Sequence, residues 1–331
     1  MGTQQFGRKV SLIIGPDAGD ALDLSGLRIV FRVQRGDLQT PNSARIRVYN
    51  VSDNTAQRAA AEFTRVVLQA GYEGNYGIIF DGSIVQVRRG RESPTDTYLD
   101  ITAADGDMAY NFAVVNTTLA AGSTHSDVVD ACLKAMGKFG VTAGYIADLP
   151  SNPMPRGQVL FGMARDHLET VARSTQTLWS IQDGQLQIVP ETSYVPGEIP
   201  VINAKSGMVG LPEQTQNGIT VRMLLNPSIK IGRLIQLDNS SIQRYEFGLS
   251  VPQQKDNGAI AQQNQLNGKI DGDGFYYVMS NEFWGDTRGN DWYNEVICLS
   301  VDVTPGLDLT TKASGIAAPA PAKLGVINPY G

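Results

Sequence analysis

The densest group of chemically capable side chains is Trp284, Asp286, Arg288, Asp291 and Trp292. Two carboxylates near one turn could flank a glycosidic bond, one as acid and the other as nucleophile or base. Two indoles could stack on sugar rings. The sequence favours another reading, a local ion pair bracing a hairpin tip while the Trp rings pack beneath it. The chain has two histidines, His125 at a predicted helix start and His167 inside an amphipathic helix. Asp166 and Glu169 lie close to His167 in sequence but not on its helix face, so it reads as a polar surface group and not an acid–base catalyst. Asp271 and Asp273 mimic the start of a calcium loop. The fifth and sixth places of that loop would hold Phe275 and Tyr276, with Glu282 twelfth, so a turn before a strand is expected instead. No nucleophile-elbow, phosphate-loop, zinc-protease or dinucleotide fingerprint occurs. No catalytic residue, metal or cofactor is expected.

The elements that would carry these residues are mostly strands. Gly 35 and Pro 16 in 331 residues suit short strands joined by turns. Residues 27–33 alternate, with Leu27, Ile29, Phe31 and Val33 on one face and Arg28 and Arg32 on the other. Ile46 and Val48 repeat the pattern, as expected for half-buried antiparallel strands. Ser52 or Asp53 caps a helix reaching Ala61. Strands are expected over residues 66–70, 77–87 and 98–103, with a turn at Phe80-Asp81-Gly82-Ser83-Ile84. Ser123 or Thr124 starts a helix that ends at Gly137, its apolar stripe made by Val128, Val129, Cys132, Leu133 and Met136. A second helix is predicted over residues 160–174, then a hairpin turning at Asp183-Gly184. Beyond residue 190 the clearest strands are 219–225, 234–237, 276–281 and 294–303. Residues 253–267 are rich in Gln and Asn, and the segment from Pro305 has low complexity.

Charge bounds the partners. Residues 1–105 carry 12 basic and 12 acidic side chains, so the formal charge of -6 arises in the remainder. No basic stripe suits sequence-specific nucleic-acid binding. Cys132 and Cys298 have no metal or redox spacing and read as buried free thiols. The Asn50-Val51-Ser52 sequon has no meaning without secretion. No signal peptide and no run of about 18 apolar residues is seen, so stable membrane insertion is not expected.

The order of these pieces carries a resemblance. The Ala70-Gly71-Tyr72 turn, Phe80-Asp81-Gly82 and the exit Thr102 to Asp107 come first. The helix with its Asp183-Gly184 hairpin, Leu225-Asn226-Pro227 and Gly285-Asp286-Thr287-Arg288-Gly289 follow. Together, from Leu27 to Val303, they resemble the baseplate hub (tail hub) proteins of contractile-tailed phages. The resemblance implies a mainly β fold with an α+β insert. Two tube-like β-barrel domains, residues 1–105 and 191–304, would flank a small helix-hairpin module, residues 106–190. A flexible arm, 305–331, would follow. It implies a non-enzymatic virion protein, made in the host cytoplasm. That protein forms a homotrimeric ring, joins the sixfold tail tube to a threefold central spike, contacts other baseplate proteins and lets DNA pass without specific binding. No lysozyme-like domain is seen, so cell-wall cleavage is not implied. The competing readings are a glycan-binding β-sandwich and a glycan hydrolase.

Within that frame the segment between Val33 and Arg45, QRGDLQTPNSA, is long for a hairpin closure. It is expected to form an assembly contact, with Arg35 and Asp37 pairing across the interface, Gln39 beside them and Pro41 limiting the loop's freedom. Asn226, Pro227, Gly285, Asp286, Arg288 and Trp292 are expected to be structural.

Overall fold

The structure is a computed structural model that describes residues 6–16, 20–210, 212–215, 218–237 and 274–301. The first strand-rich region contains β1 (Arg8–Gly15), β2 (Leu22–Asp23), β3 (Ile29–Gly36) and β4 (Ser43–Tyr49). Helix α1 (Asp53–Ala61) follows, then β5 (Arg65–Tyr72), β6 (Asn75–Arg91) and β7 (Thr97–Ala104). The expected alternation holds: Ile29, Phe31 and Val33 are buried while Arg32 faces solvent. Ser52 caps α1 by accepting from the Thr55 N–H, as its residue type predicts.

The turn expected at residues 80–84 is absent, because β6 runs through it. The strand pairs with β5 up to Ser83 and with β7 from Ser83 onward, so the segment is a corner where one strand changes partners. Asp81 is held across the sheet by a fork from Arg65, at 2.8 and 2.7 Å. A Cβ on Gly82 would lie 2.7 Å from the Ala104 carbonyl, so the approach there needs glycine.

The central region holds α2 (Asp107–Phe112), β8 (Val114–Leu119), α3 (His125–Met136), β9 (Thr142–Ile146) and β10 (Gln158–Met163). Then come α4 (Ala164–Thr175), β11 (Thr177–Gln182) and β12 (Gln185–Pro190). Thr124 and Asp127 form the capping box of α3, and Gly137 stops it. Asp183 and Gly184 both take positive φ, 53° and 72°, as the tight hairpin requires. The helix predicted from residue 160 starts later, because residues 158–163 pair with β8 instead. Gly162 at φ 145° lies outside helical space, and Met163 is the extended residue that begins α4. A period read along one segment cannot register a partner strand that lies beyond the whole of α3 and β9.

The last region contains β13 (Val201–Ile202), β14 (Glu213–Thr215), β15 (Gly218–Leu224), β16 (Leu234–Leu237), β17 (Phe275–Asp286) and β18 (Trp292–Ser300). Residues 253–267, Asp271, Asp273 and the segment from Pro305 lie outside the described residues. The protein is mainly β with a few helices, as expected. Its main sheet has the order β14-β15-β18-β17-β3-β4-β7-β6-β5-β1-β2, with β16 on β17 and β13 on β16. Among the described residues this path is open and no closed barrel forms. The β17–β3 ladder, Asp286 against Val30 through Ser280 against Gly36, joins the first and last strand-rich regions into one sheet. The core beneath the first region also takes in Leu225, Phe283 and Trp292 from the last. The central region has a core drawn wholly from residues 109–188.

Candidate functional site

Three parts of the chain meet at a buried polar junction that positions the central region on the sheet. Arg35 ends the alternating face of β3, and its side chain is 3% exposed. Its guanidinium pairs with Asp183 at 3.0 Å and donates to the Ile79 carbonyl and to Gln182, both at 3.3 Å. Lys230, from the segment before β16, reaches the same Asp183 carboxylate at 3.2 Å and donates to the Ile78 carbonyl. Asp105, at the exit of β7, accepts from the Asp183 and Gly184 backbone N–H groups at 2.7 and 2.9 Å. Asn42 donates to Gln182, and Gln182 to the Gly36 carbonyl. The β11–β12 turn is thereby bonded to β3, to Asp105 just beyond β7 and to the segment leading to β16, while Arg35 and Lys230 carry the link on to the Ile79 and Ile78 carbonyls of β6.

The two carboxylates are tuned apart. Burial pushes Asp105 up to about 7, against the pull of Arg35 and its two N–H donors. Burial also works to raise Asp183, but Arg35 and Lys230 outweigh it and hold that group below the usual carboxylate range. A cleft of about 600 Å³ opens beside this junction, with Arg65, Asp81 and Lys138 on its walls.

The loop expected between Val33 and Arg45 is shorter than its sequence suggests. β3 continues to Gly36 and β4 begins at Ser43, so residues 37–42 make the connection. Arg35 therefore lies on the strand, turned inward, and its ion pair is within the chain rather than across an interface. Asp37 accepts from the Tyr277 hydroxyl at 3.2 Å. The Gln39 amide bonds to the Glu169 carboxylate of α4. Pro41 is partly buried, and Leu38 at the tip is 68% exposed.

Two of the hairpin residues that could have been catalytic, Asp286 and Trp292, are engaged in structure. Asp286 takes a fork from Arg28, at 2.7 and 3.3 Å, and accepts from the Arg288 backbone N–H. Burial would raise its carboxyl, but Arg28 and the N–H groups of Arg288 and Gly289 hold it below the ordinary range. Its ionic partner is thus Arg28 and not the Arg288 side chain. Trp292 is 1% exposed, donates to the Gly71 carbonyl at 3.2 Å and meets Phe31 edge-on at 5.4 Å. It cannot stack on a sugar. A Cβ on Gly285 would fall 2.6 Å from the Phe31 ring, which explains the glycine there. Trp284, on the opposite face, sits with Arg222 and Tyr293.

Asn226 is buried in a chain of amides. Its backbone N–H donates to the Asn294 side chain, which in turn donates to Asn281, while the Asn226 side-chain oxygen Oδ1 accepts from Asn75 and from the Ser228 N–H. Pro227 packs over Gly77. The Leu225-Asn226-Pro227 motif is a joint between the two strand-rich regions. On the solvent face of β3, β4, β7 and β17, Arg28, Arg32 and Arg47 pair with Asp286, Glu282 and Asp100.

His125 and His167 share a lining. Both border a pocket of about 290 Å³ between α3 and α4, with Met154 and Val159. His125 Nδ1 and His167 Nε2 are buried without a hydrogen-bond partner. Sequence reasoning places them on separate helix surfaces, since α3–α4 packing is a tertiary fact. Cys132 and Cys298 are buried free thiols, as expected, and burial pushes Cys132 up to about 12. Among the described residues no cluster of three or more metal-ligating side chains occurs, and no helix is long and apolar enough to cross a membrane.

A family model described as Baseplate hub gp41 matches residues 21–243, more than half of the chain. The chain belongs to this family. Baseplate hubs are structural parts of the phage tail, and the chain is accordingly a virion tail component. The tail protein from Neisseria meningitidis MC58 is similar in fold, with TM-score 0.56 and 10% identity over 94% of this chain and 100% of that one. The 43 kDa tail protein of prophage MuSo2 from Shewanella oneidensis is similar too, with TM-score 0.54 and 8% identity over 88% and 97%. No curated protein matches the sequence.

Proposed function

We propose that this chain assembles as a homotrimeric ring that joins the sixfold tail tube to a threefold central spike. The observation that carries this reading is the β17–β3 ladder within a baseplate hub. It couples two strand-rich regions, each taken as one tube-like domain, so that three chains offer six copies around an axis. The axis is a channel for DNA. On the face of β3, β4, β7 and β17 three of the arginines, Arg28, Arg32 and Arg47, are matched by carboxylates, which weakens their pull on passing phosphates. Leu38 and its loop form a contact to the tube or a neighbouring subunit, and other baseplate proteins bind around the ring.

The role is structural and not enzymatic. A carboxyl acting as acid in glycoside hydrolysis needs a raised pKa, and Asp286 is shifted the other way. The test is the mass and symmetry of the purified full-length chain, by native mass spectrometry and electron microscopy. A three-copy ring with pseudo-sixfold density on one face is expected. A chain that remains single at micromolar concentrations, or that clears peptidoglycan in a manner lost in Asp286→Asn/Asp291→Asn, overturns the reading.

A further inference from the structure

The outer face of the β8–β10 ribbon is not ordinary surface. Met163 pairs with Val114 and Phe161 with Asn116, so Val114, Phe161 and Val159 share that face, while Val115 and Leu160 turn into the core. Val159 is 75%, Phe161 74% and Val114 48% exposed. Phe112 and Met108, one turn apart on α2 and just before β8, add 58% and 43%. Neither strand includes a charged side chain. Exposed apolar groups gathered on one face mark a contact.

The strip runs into the histidine pocket. Val159 belongs to both, since it lines the cavity of about 290 Å³ together with Met154, Val171 and the two imidazoles. A buried ring nitrogen without a partner costs free energy, and two are left so, His125 Nδ1 and His167 Nε2. The site therefore calls for an occupant with two parts. One is an uncharged apolar stretch for the strip. The other is a side chain with an apolar body and a hydrogen-bonding tip for the pocket. Tyrosine fits the second part: its ring fills apolar space, and its hydroxyl, which both donates and accepts, answers an imidazole nitrogen in either tautomer.

The chain carries such a segment in its own sequence. After Lys323 come Leu324-Gly325-Val326-Ile327-Asn328-Pro329-Tyr330, three aliphatic side chains and a tyrosine with no charge among them. These residues lie outside the described ones. Residues 302–323 tether them to Val301, and a tether of that length spans up to about 75 Å. A compact chain of this size has a radius of gyration of about 20 Å, so the strip is within reach.

We infer that residues 324–330 dock on the α2–β8–β10 strip of their own chain, with the aliphatic side chains over Val114, Val159 and Phe161 and Tyr330 in the histidine pocket. The tether favours the chain's own segment over a free partner, because it holds the segment at an effective concentration of roughly millimolar order. The segment lies across the face, over the exposed side chains, and leaves the strand edges as they are. The docking holds for a single chain and for a ring alike.

The test uses the full chain with the photo-reactive residue benzoylphenylalanine in place of Tyr330. Irradiation should join it to peptides containing His125, Met154 or Val159. Cross-links elsewhere, or none, would overturn the site. An equal mixture of heavy-isotope and light-isotope chains should give cross-links within one label only, and mixed ones would overturn the chain's own segment in favour of exchange between copies. Hydrogen exchange supplies a second reading. Residues 108–119 and 158–163 should exchange roughly threefold faster or more in a chain lacking residues 324–331, and an unchanged rate would overturn the docking. Tyr330→Phe keeps the ring and loses the hydroxyl, so the imidazole nitrogen resonances of His125 or His167 should move. Identical resonances would remove Tyr330 from the pocket.

Discussion

The central region and the sheet around it are held together in opposite ways. The central core, Ala109 to Ile188, is built from one continuous stretch of chain. The core under the first strands is finished by Trp292, Phe283 and Leu225, which arrive only after the whole central region has passed. The central region is thus local and closed, whereas the sheet is a long-range contract between both ends of the sequence. The buried polar junction of Arg35, Asp105, Asp183 and Lys230 is a main link between them, with the Gln39–Glu169 bond beside it.

Trp292→Ala strikes the long-range side hardest. It should destabilise the sheet by roughly 3–5 kcal/mol, read as a lower denaturant midpoint. Amides of α3 and α4 should keep their exchange protection. Loss of protection in both regions together would mean that the contrast between them is false.

Arg35→Ala attacks the contact itself. Asp183 would retain Lys230 alone, and about 3 kcal/mol of coupling should be lost. The expected signature is a single unfolding transition splitting into two. Arg35→Lys should recover only part of it, since one ammonium cannot reach Asp183, Ile79 and Gln182 at once. An unsplit transition in Arg35→Ala would show that apolar packing does the coupling.

Acidity offers a gentler handle. Asp105 has a folded pKa of about 7, above the ordinary 3.8, so the folded state binds more protons between those values. Its contribution is most favourable at low pH and is lost as pH rises through about 4 to 7, by at most about 1.4 kcal/mol per unit. Asp183 acts in reverse, since its lowered pKa gives stability that is lost only as pH falls below about 4. Asp105→Asn should flatten the slope between pH 5 and 7 in thermal melts. An unchanged slope would assign the pH dependence to other groups.

Leu38→Ser should change stability least, within about 0.5 kcal/mol, because the side chain is mostly in solvent. If its loop is an assembly contact, binding to tail-tube protein should weaken while the melt stays put.

The same contrast explains what the sequence can tell. Local signals are legible: the alternation of Ile29, Phe31 and Val33, the Ser52 and Thr124 caps, the Asp183-Gly184 turn. The order of motifs from Ala70 to Gly289 points to the family. What stays hidden depends on distant partners. β10 reads as helix because its apolar spacing suits α4 as well as a strand, and β8 alone settles the matter. Gly82 reads as a turn because the neighbour that crowds it, Ala104, lies at the far end of the next strand. Arg35 reads as a loop residue because its acid, Asp183, belongs to the central hairpin. The two histidines read as unrelated because only the packing of α3 on α4 brings them to one pocket.

The β17–β3 ladder has a consequence for how the protein is made. During synthesis β3 leaves the ribosome roughly 240 residues before β17 begins, and at about 5–20 residues per second that interval is roughly 12–50 s. Throughout it the central region, whose contacts are local, can fold, while β3 waits with one edge unmatched. A chain cut short before β17 never acquires the finished sheet. A copy truncated before residues 275–286 keeps the β3 edge open, the kind of unpaired edge that invites wrong partners.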